Sequence, residues 1–340
     1  MKAPSTRPAG RYAEQIDPAA TAWFHLFKEV SHWVVCPHMK PDADTLGSSL
    51  GMAHLLRSLG CRAVVACADP VVERFGFMPG ADEVVVGRLP DNFPADAGVV
   101  TLDAAEMDRL GAMAPLIAGM RPLVNLDHHI SNQRFGTHNW IDVPSAATGE
   151  LVVMLYDYFG VPIDQTAAVP LYAALITDTG FFRYPATTAR TLEIAGDLVK
   201  TGIDFPQVIS AIYERQTAGS IRLMGQAMAA VRLEAEGRVA WTSISQAMFK
   251  EVGATADEAE GLVERFRAIA GVEVLYILRE SADGTVRVSL RAKGGIDVNA
   301  VARHFGGGGH LQASGCVIRE PLPEAERQLR EVVLRHLEAH

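Results

Sequence analysis

Four short segments of the chain carry side chains that can hold metal ions or move protons. They are His38-Met39-Lys40-Pro41-Asp42-Ala43-Asp44, Thr101-Leu102-Asp103, Asn125-Leu126-Asp127-His128-His129 and Ile176-Thr177-Asp178-Thr179-Gly180. Gathered in one crevice, their carboxylates would repel one another strongly enough to take up protons or open the site. Divalent cations remove that conflict. A mixed carboxylate and imidazole set suits Mn²⁺, with Mg²⁺, Co²⁺ or Fe²⁺ as competitors. A carboxylate shared by two ions about 3.5–4 Å apart is the working part of a two-metal hydrolase, so the pattern points to metal-assisted hydrolysis.

Each piece has a plainer reading by itself. Asp103, following a strand, could cap a helix, as could Asp44; Asp178 could close a helix, and His128-His129 could be a surface pair. What favours a shared site is the joint occurrence of all four segments, each just after an apolar run or inside a helical one.

The elements that must position them are legible as patterns. Residues 33–36, 62–67, 98–102 and 122–126 are short continuous apolar runs separated by helix-like stretches, which predicts a buried, largely parallel sheet with helices on both faces. The carboxyl ends of such strands open into a common crevice, where the first three segments would meet. Helical periodicity covers 46–59, 146–159, 166–177 and 188–200, and 191–226, broken by Gly202 and Pro206, reads as a helical linker. Residues 1–19 read as a polar tail. From 227 onward hairpins are expected around Gly237 and Asp283-Gly284, then a helix at 297–304, a strand near 313–318 and a last helix from Pro323. The expected fold is α/β: a parallel-sheet domain over 20–190 and a smaller α+β domain over 227–340.

Composition narrows the function. The 340 residues carry a net charge of -9, and no sustained basic surface is present to neutralise a long nucleic acid. A polyanionic ligand should therefore be short, held by metal and a few local cations. No run of about 20 apolar residues could span a membrane, and the first residues do not resemble a signal peptide. Cys36, Cys61, Cys67 and Cys316 show no metal or redox spacing, which fits free thiols in a reducing, cytoplasmic setting.

The order of the motifs resembles the DHH phosphoesterase superfamily. His38, Pro41, Asp42, Asp44, Gly47 and Ser48 form its first motif; Asp103, then Asp127-His128-His129, then Thr177-Asp178-Thr179-Gly180 follow. Gly306 to Gly309 before His310, with Ala313 and Gly315, resemble the DHH-associated domain, although Ser314 stands where a second Ala is frequent. Within the superfamily the chain is most similar to stand-alone bifunctional oligoribonucleases and pAp phosphatases.

That resemblance implies that His38 and Asp42 hold one ion, that Asp44, His128 and Asp178 hold the other, and that Asp103 bridges both. Asp103, His128 and His129 would be the catalytic residues. His129 would donate to the scissile phosphate, and Asp127 would orient a histidine from behind. Arg291, Gly307, Gly308, Gly309 and His310, with Arg183, would bind substrate in a cleft between the domains, although a bare glycine run alone reads as a flexible loop. The expected substrates are short RNA oligonucleotides, dinucleotides and pAp, and a homodimer is compatible. Two rivals stand beside this reading. One is a cyclic di-AMP or pApA phosphodiesterase using the same residues. The other is a non-catalytic nucleotide-binding module, which predicts a broken ligand position, and none is broken.

Overall fold

A computed structural model of the chain describes residues 10–89, 93–94, 96–214, 216–259 and 261–338; the side chain of His310 lies outside the described residues. The chain divides into two compact units, Met1–Arg215 and Gln216–His340.

The first unit is built on strands β1 (His32–Pro37), β2 (Arg62–Cys67), β3 (Val85–Val86), β4 (Gly98–Leu102), β5 (Leu123–Asp127) and β6 (His138–Ile141). Among the described residues they form one parallel sheet in the order β3-β2-β1-β4-β5-β6. Alternate residues of β1 face opposite ways, and from Trp33 to Pro37 all are buried. Trp33 and Val35 join the core under the larger helices, whereas Val34 and Cys36 pack with Leu110, Met113 and Ile117. Burial on both faces is why these strands read as unbroken apolar runs. The two edge strands, β3 and β6, are short and partly exposed, and β3 leaves only the three-residue run Val84-Val85-Val86.

The chain winds outward from β1 to β3, then returns to place β4 on the other side of β1. That reversal opens a crevice at the carboxyl ends of β1 and β4. His38 follows β1 directly, Asp103 follows β4, and Asp127 ends β5.

Helices α1 (Ala43–Ser58), α2 (Thr148–Phe159), α3 (Gln165–Asp178), α4 (Ala189–Lys200) and α5 (Phe205–Tyr213) cover the sheet and each other. Helices α1 and α3 pack so closely at Gly47 that a Cβ there would lie 2.2 Å from the Pro170 carbonyl oxygen. Gly47→Ala should therefore destabilise the chain by about 1–3 kcal/mol, read as a lower denaturant midpoint, because backbone must give way.

Two expectations about boundaries are corrected. The stretch 191–226 is not one linker: Ile194, Ala195 and Leu198 of α4 and Val208 of α5 are buried in the first core, whereas α6 (Ala218–Ala229) buries Leu223 and Ala227 in the second unit. The supposed tail also contributes, since Tyr12 and Ile16 are buried in the first core.

The second unit contains β7 (Arg232–Glu234), β8 (Val239–Ile244), β9 (Val274–Glu280), β10 (Val286–Ala292), β11 (Gly308–His310) and β12 (Ala313–Ile318). They form a mixed sheet in the order β11-β12-β10-β9-β8-β7, with β8 and β9 parallel and the other neighbours antiparallel. Helices α7 (Gln246–Val252), α8 (Val298–His304) and α9 (Leu322–Glu338) complete the unit, with Asp297 capping α8. The glycine run is not a loop throughout, because Gly308 to His310 pair with β12. A Cβ at Gly307 would lie 2.2 Å from the Gly315 carbonyl oxygen, so the absence of a side chain serves strand packing.

Among the described residues no helix is long and apolar enough to cross a membrane. All four cysteines are free and buried.

Candidate active site

His38 is fixed by three short links at the end of β1. Its N–H donates to Thr45 Oγ1 (3.0 Å), whose hydroxyl donates to the Leu102 carbonyl (2.9 Å), tying β1, α1 and β4 together. His38 Nδ1 lies 2.8 Å from the Met39 carbonyl oxygen. A proton held there leaves the Nε2 lone pair directed at Asp42 Oδ2 (3.5 Å) and Asp103 Oδ2 (3.4 Å). Asp42 is also the cap of α1, its Oδ1 accepting from the N–H groups of Asp44 and Thr45. The plain capping role thus belongs to Asp42, and one of its oxygens still faces the crevice.

Asp44 is buried, and its carboxylate accepts from the N–H groups of Thr148 (2.7 Å) and Gly149 (3.0 Å), the first residues of α2. His128 Nδ1 meets the Ser145 carbonyl at 3.1 Å. His128 Nε2 then points inward, 3.3 Å from Asp178 Oδ2, 3.5 Å from Asp103 Oδ1 and 3.9 Å from Asp44 Oδ2. It is buried and makes no hydrogen bond.

Asp103 sits between the two histidines. Its backbone is left-handed (φ 59°), a strained conformation that persists where surroundings impose it. Oδ2 faces His38, while Oδ1 faces His128 and accepts from Thr148 Oγ1 at 3.1 Å. Asp178 ends α3, where the helix dipole disfavours a carboxylate, so its place at that position calls for another source of stabilisation.

Burial and mutual charge shift the protonation of this cluster. Burial pulls the pKa of His38 down, but hydrogen bonds to Asp103 and Asp42 outweigh it and push the pKa up to about 10. His128 is raised well above its ordinary range, burial again being outweighed by Asp103 and Asp178. Burial raises Asp44, helped by the charges of Asp103 and Asp178, and burial also raises Asp178. Asp103 goes the other way: burial is overcome by the neighbouring rings of His128 and His38. A cluster that gathers protons to offset its own charge is one that cations fit. Three sets of donor atoms, each within 4.8 Å of one another, could hold an ion: His38, Asp42 and Asp103; Asp44, His128 and Asp178; Asp103, His128 and His129.

Asp127 is fully buried. Its Oδ1 accepts from the His128 N–H (2.8 Å) and lies 2.7 Å from His129 Nδ1, while Oδ2 accepts from Asn132 Nδ2 at 2.5 Å. It therefore fixes the ring of His129. Asp127→Asn should lower turnover by about 10–100-fold without loss of secondary structure, as initial rates beside circular dichroism would check.

Several supporting residues escaped the sequence reading: Thr45, Asn132, Ser145, Thr148, Gly149 and Arg190. Arg190 is mostly buried and reaches Glu150 Oε2 (3.1 Å), Asp142 Oδ2 (3.0 Å) and Ser145 Oγ (2.8 Å), holding the turn whose carbonyl orients His128. One signal was present. Helix α2 starts after Ala147, which offers no side-chain cap, so its first N–H groups needed an acceptor from elsewhere.

Of the expected substrate contacts, Arg183 belongs to the first unit, and Arg291 and Gly307 to Gly309 belong to the second. Arg183 is exposed and donates through Nε to the Gly180 carbonyl (2.6 Å). Arg291, expected as a phosphate clamp, is instead ion-paired in the second unit, with Nε 2.5 Å from Glu264 Oε1. Gly307, Gly308 and Gly309 belong to the packed strand margin described above.

Comparison with known proteins matches these two units to two families. Residues 32–175 match the DHH family, N-terminal domain, and residues 239–339 match the DHHA1 domain. The bifunctional oligoribonuclease and PAP phosphatase NrnA of Thermus thermophilus is 31% identical over 304 residues, covering 89% of each chain. The chain belongs to the DHH phosphoesterase family. The protein of the same name from Bacillus subtilis is 29% identical, covering 87% of this DHH chain and 91% of its own. An exopolyphosphatase-related protein from Bacteroides fragilis shares the fold at a TM-score of 0.86, with 25% identity over 95% of this chain and 97% of that one. As a DHH phosphoesterase the chain is a hydrolase of phosphoester bonds.

Proposed function

We propose that this DHH protein hydrolyses short oligoribonucleotides to mononucleotides and removes phosphate from pAp, using two divalent ions. The observation that carries the reading is Asp103, whose two oxygens face two separate histidines, each with its other ring nitrogen held on a carbonyl. His38 and Asp42 would hold one ion, Asp44, His128 and Asp178 the other, with Asp103 shared; the donor chemistry suits Mn²⁺, then Mg²⁺ or Co²⁺. Bound ions would supply Lewis-acid charge at the phosphoryl oxygens and ease deprotonation of water.

The chain's own residues supply the rest. Asp127 keeps a proton on His129 Nδ1, and burial is outweighed by Asp127 and Asp103, which raises the His129 pKa. With a proton on Nε2 as well, the ring would donate toward the phosphate and stabilise charge there. Thr148 Oγ1 holds Asp103 Oδ1, and the start of α2 holds Asp44, so neither carboxylate must reorganise during reaction.

The names borne by the relatives support oligoribonucleotides and pAp, and the net charge of -9 supports a short substrate. Arg183, His310 and Gly307 to Gly309 are proposed contacts. Arg291 would contribute by exchanging Glu264 for a phosphate. The buried free thiols suit a reducing, cytoplasmic setting.

The test is to incubate the Mn²⁺-loaded chain separately with an RNA dinucleotide, a five-residue RNA, pAp, pApA and cyclic di-AMP, with an EDTA control. Mononucleotides from the RNAs and phosphate from pAp are expected. Preference for cyclic di-AMP would replace this substrate assignment with second-messenger turnover at the same residues, and hydrolysis of none would leave a binding module.

A further inference from the structure

The second unit carries a cavity of about 490 Å³ whose lining includes Arg279 of β9, Arg287 of β10 and Arg319 just beyond β12. The turn Phe305-Gly306-Gly307 and the exposed Val317 form part of its wall, and no carboxylate is among the lining residues. In the antiparallel register Arg279 lies directly opposite Arg287, and Val317 lies opposite Arg287 on its other side. Like charges directly opposite each other weaken a sheet.

Four other arginines of the unit are paired with glutamates: Arg238 with Glu273, Arg291 with Glu264, Arg327 with Glu324 and Arg330 with Glu234. Among the described residues neither Arg287 nor Arg319 has a carboxylate within ion-pair distance. The Asp283 carboxylate, near enough to feel Arg287, is spent on the N–H (3.0 Å) and hydroxyl (2.7 Å) of Thr285. Arg279 Nη2 reaches Ser289 Oγ at 3.4 Å, which steers its guanidinium along the sheet. In a chain of net charge -9, three guanidiniums converging on one cavity form a local reversal of sign that an anion would relieve.

We propose that Arg279, Arg287 and Arg319 form a binding site for the phosphate groups of a nucleotide, distinct from the carboxylate and histidine cluster. Planar guanidiniums match phosphate oxygens in two-point fashion, and three of them suit more than one phosphate. Phe305 and Val317 give the base an apolar wall. The phosphates belong either to the RNA substrate or to a separate nucleotide. Only that choice of source rests on the proposed oligoribonuclease reading; the site itself rests on the second unit alone.

The test uses the full chain with Mn²⁺ bound and ADP as the probe, titrated by calorimetry at low salt. Arg287→Glu and Arg319→Glu should each weaken ADP binding about tenfold or more, and the double variant should lose it. Their thermal midpoints should stay level or rise, since like charges are relieved. Rates on pAp and on a 5′-phosphorylated RNA trinucleotide identify the source. A raised KM for the trinucleotide alone assigns the phosphates to substrate; wild-type turnover that responds to ADP, with variants that do not, assigns them to a separate nucleotide. ADP bound equally by the double variant, or not bound by the wild type, overturns the site. A chain that hydrolyses neither substrate would defeat the oligoribonuclease reading while leaving the calorimetric result to decide this one.

Discussion

Asp103→Asn should reduce phosphoester hydrolysis by on the order of 10³-fold or more while the chain stays folded. No other carboxylate in the cluster faces both His38 and His128, so no neighbour can replace it. The amide keeps the size of the side chain, and Asn tolerates the left-handed backbone found at φ 59° better than Ala does. Asp103 is the carboxylate that His38 and His128 favour as an anion, so the metal-free variant should melt somewhat lower than the wild type while staying folded. Asp103→Ala should lose activity equally, with an additional small loss of stability from the strained backbone. Rates with saturating Mn²⁺, together with thermal melts, check both. Substantial turnover in either variant would remove Asp103 from the shared position.

Stripping divalent ions should abolish activity and also lower the stability of the first unit. Metal-free, its cluster keeps protons on His38 and His128 and raises Asp44 and Asp178, so part of the folding free energy is spent against mutual repulsion. Ions that bind only the folded state should stabilise it by about 2.7 kcal/mol at a hundredfold excess over Kd. For a unit of this size that is a rise of roughly 5–10 °C in thermal midpoint. Scanning calorimetry with EDTA and then with added Mn²⁺ reads the effect directly. Asp103→Asn should lose most of the rise, whereas Arg287→Glu, in the other unit, should keep it. An unchanged first-unit transition on adding Mn²⁺ would mean that the cluster settles its charge by protons alone.

Much of this was legible before any coordinates. The four central strands of the first sheet are buried on both faces, so they write themselves as apolar runs, and a parallel sheet then forces His38, Asp103 and Asp127 to one edge. Asp178 was visible because Thr-Asp-Thr-Gly closes a long apolar, helix-like stretch. What escaped has physical reasons. Residues 191–214 looked like a linker because Gly202 and Pro206 interrupt them, yet short amphipathic helices still bury Ile194, Leu198 and Val208. Thr148, Ser145 and Arg190 act through backbone groups and a turn, which leave no spacing to read. Arg291 invited a phosphate because its planar guanidinium precedes the glycine run; its partner, Glu264, is distant in sequence and becomes a neighbour only in the fold. The arginines that do converge on a cavity, Arg279, Arg287 and Arg319, lie on three separate stretches, and strand register alone brings the first two face to face.

The most direct test of the central claim is a Mn²⁺ titration of the metal-free full chain followed by electron paramagnetic resonance. Two ions bound per chain, with a spin-coupled spectrum that Asp103→Asn uncouples, is the result this site predicts. One ion per chain at saturation, or two that remain uncoupled in the wild type, would contradict a shared carboxylate at Asp103 and the two-metal chemistry built on it.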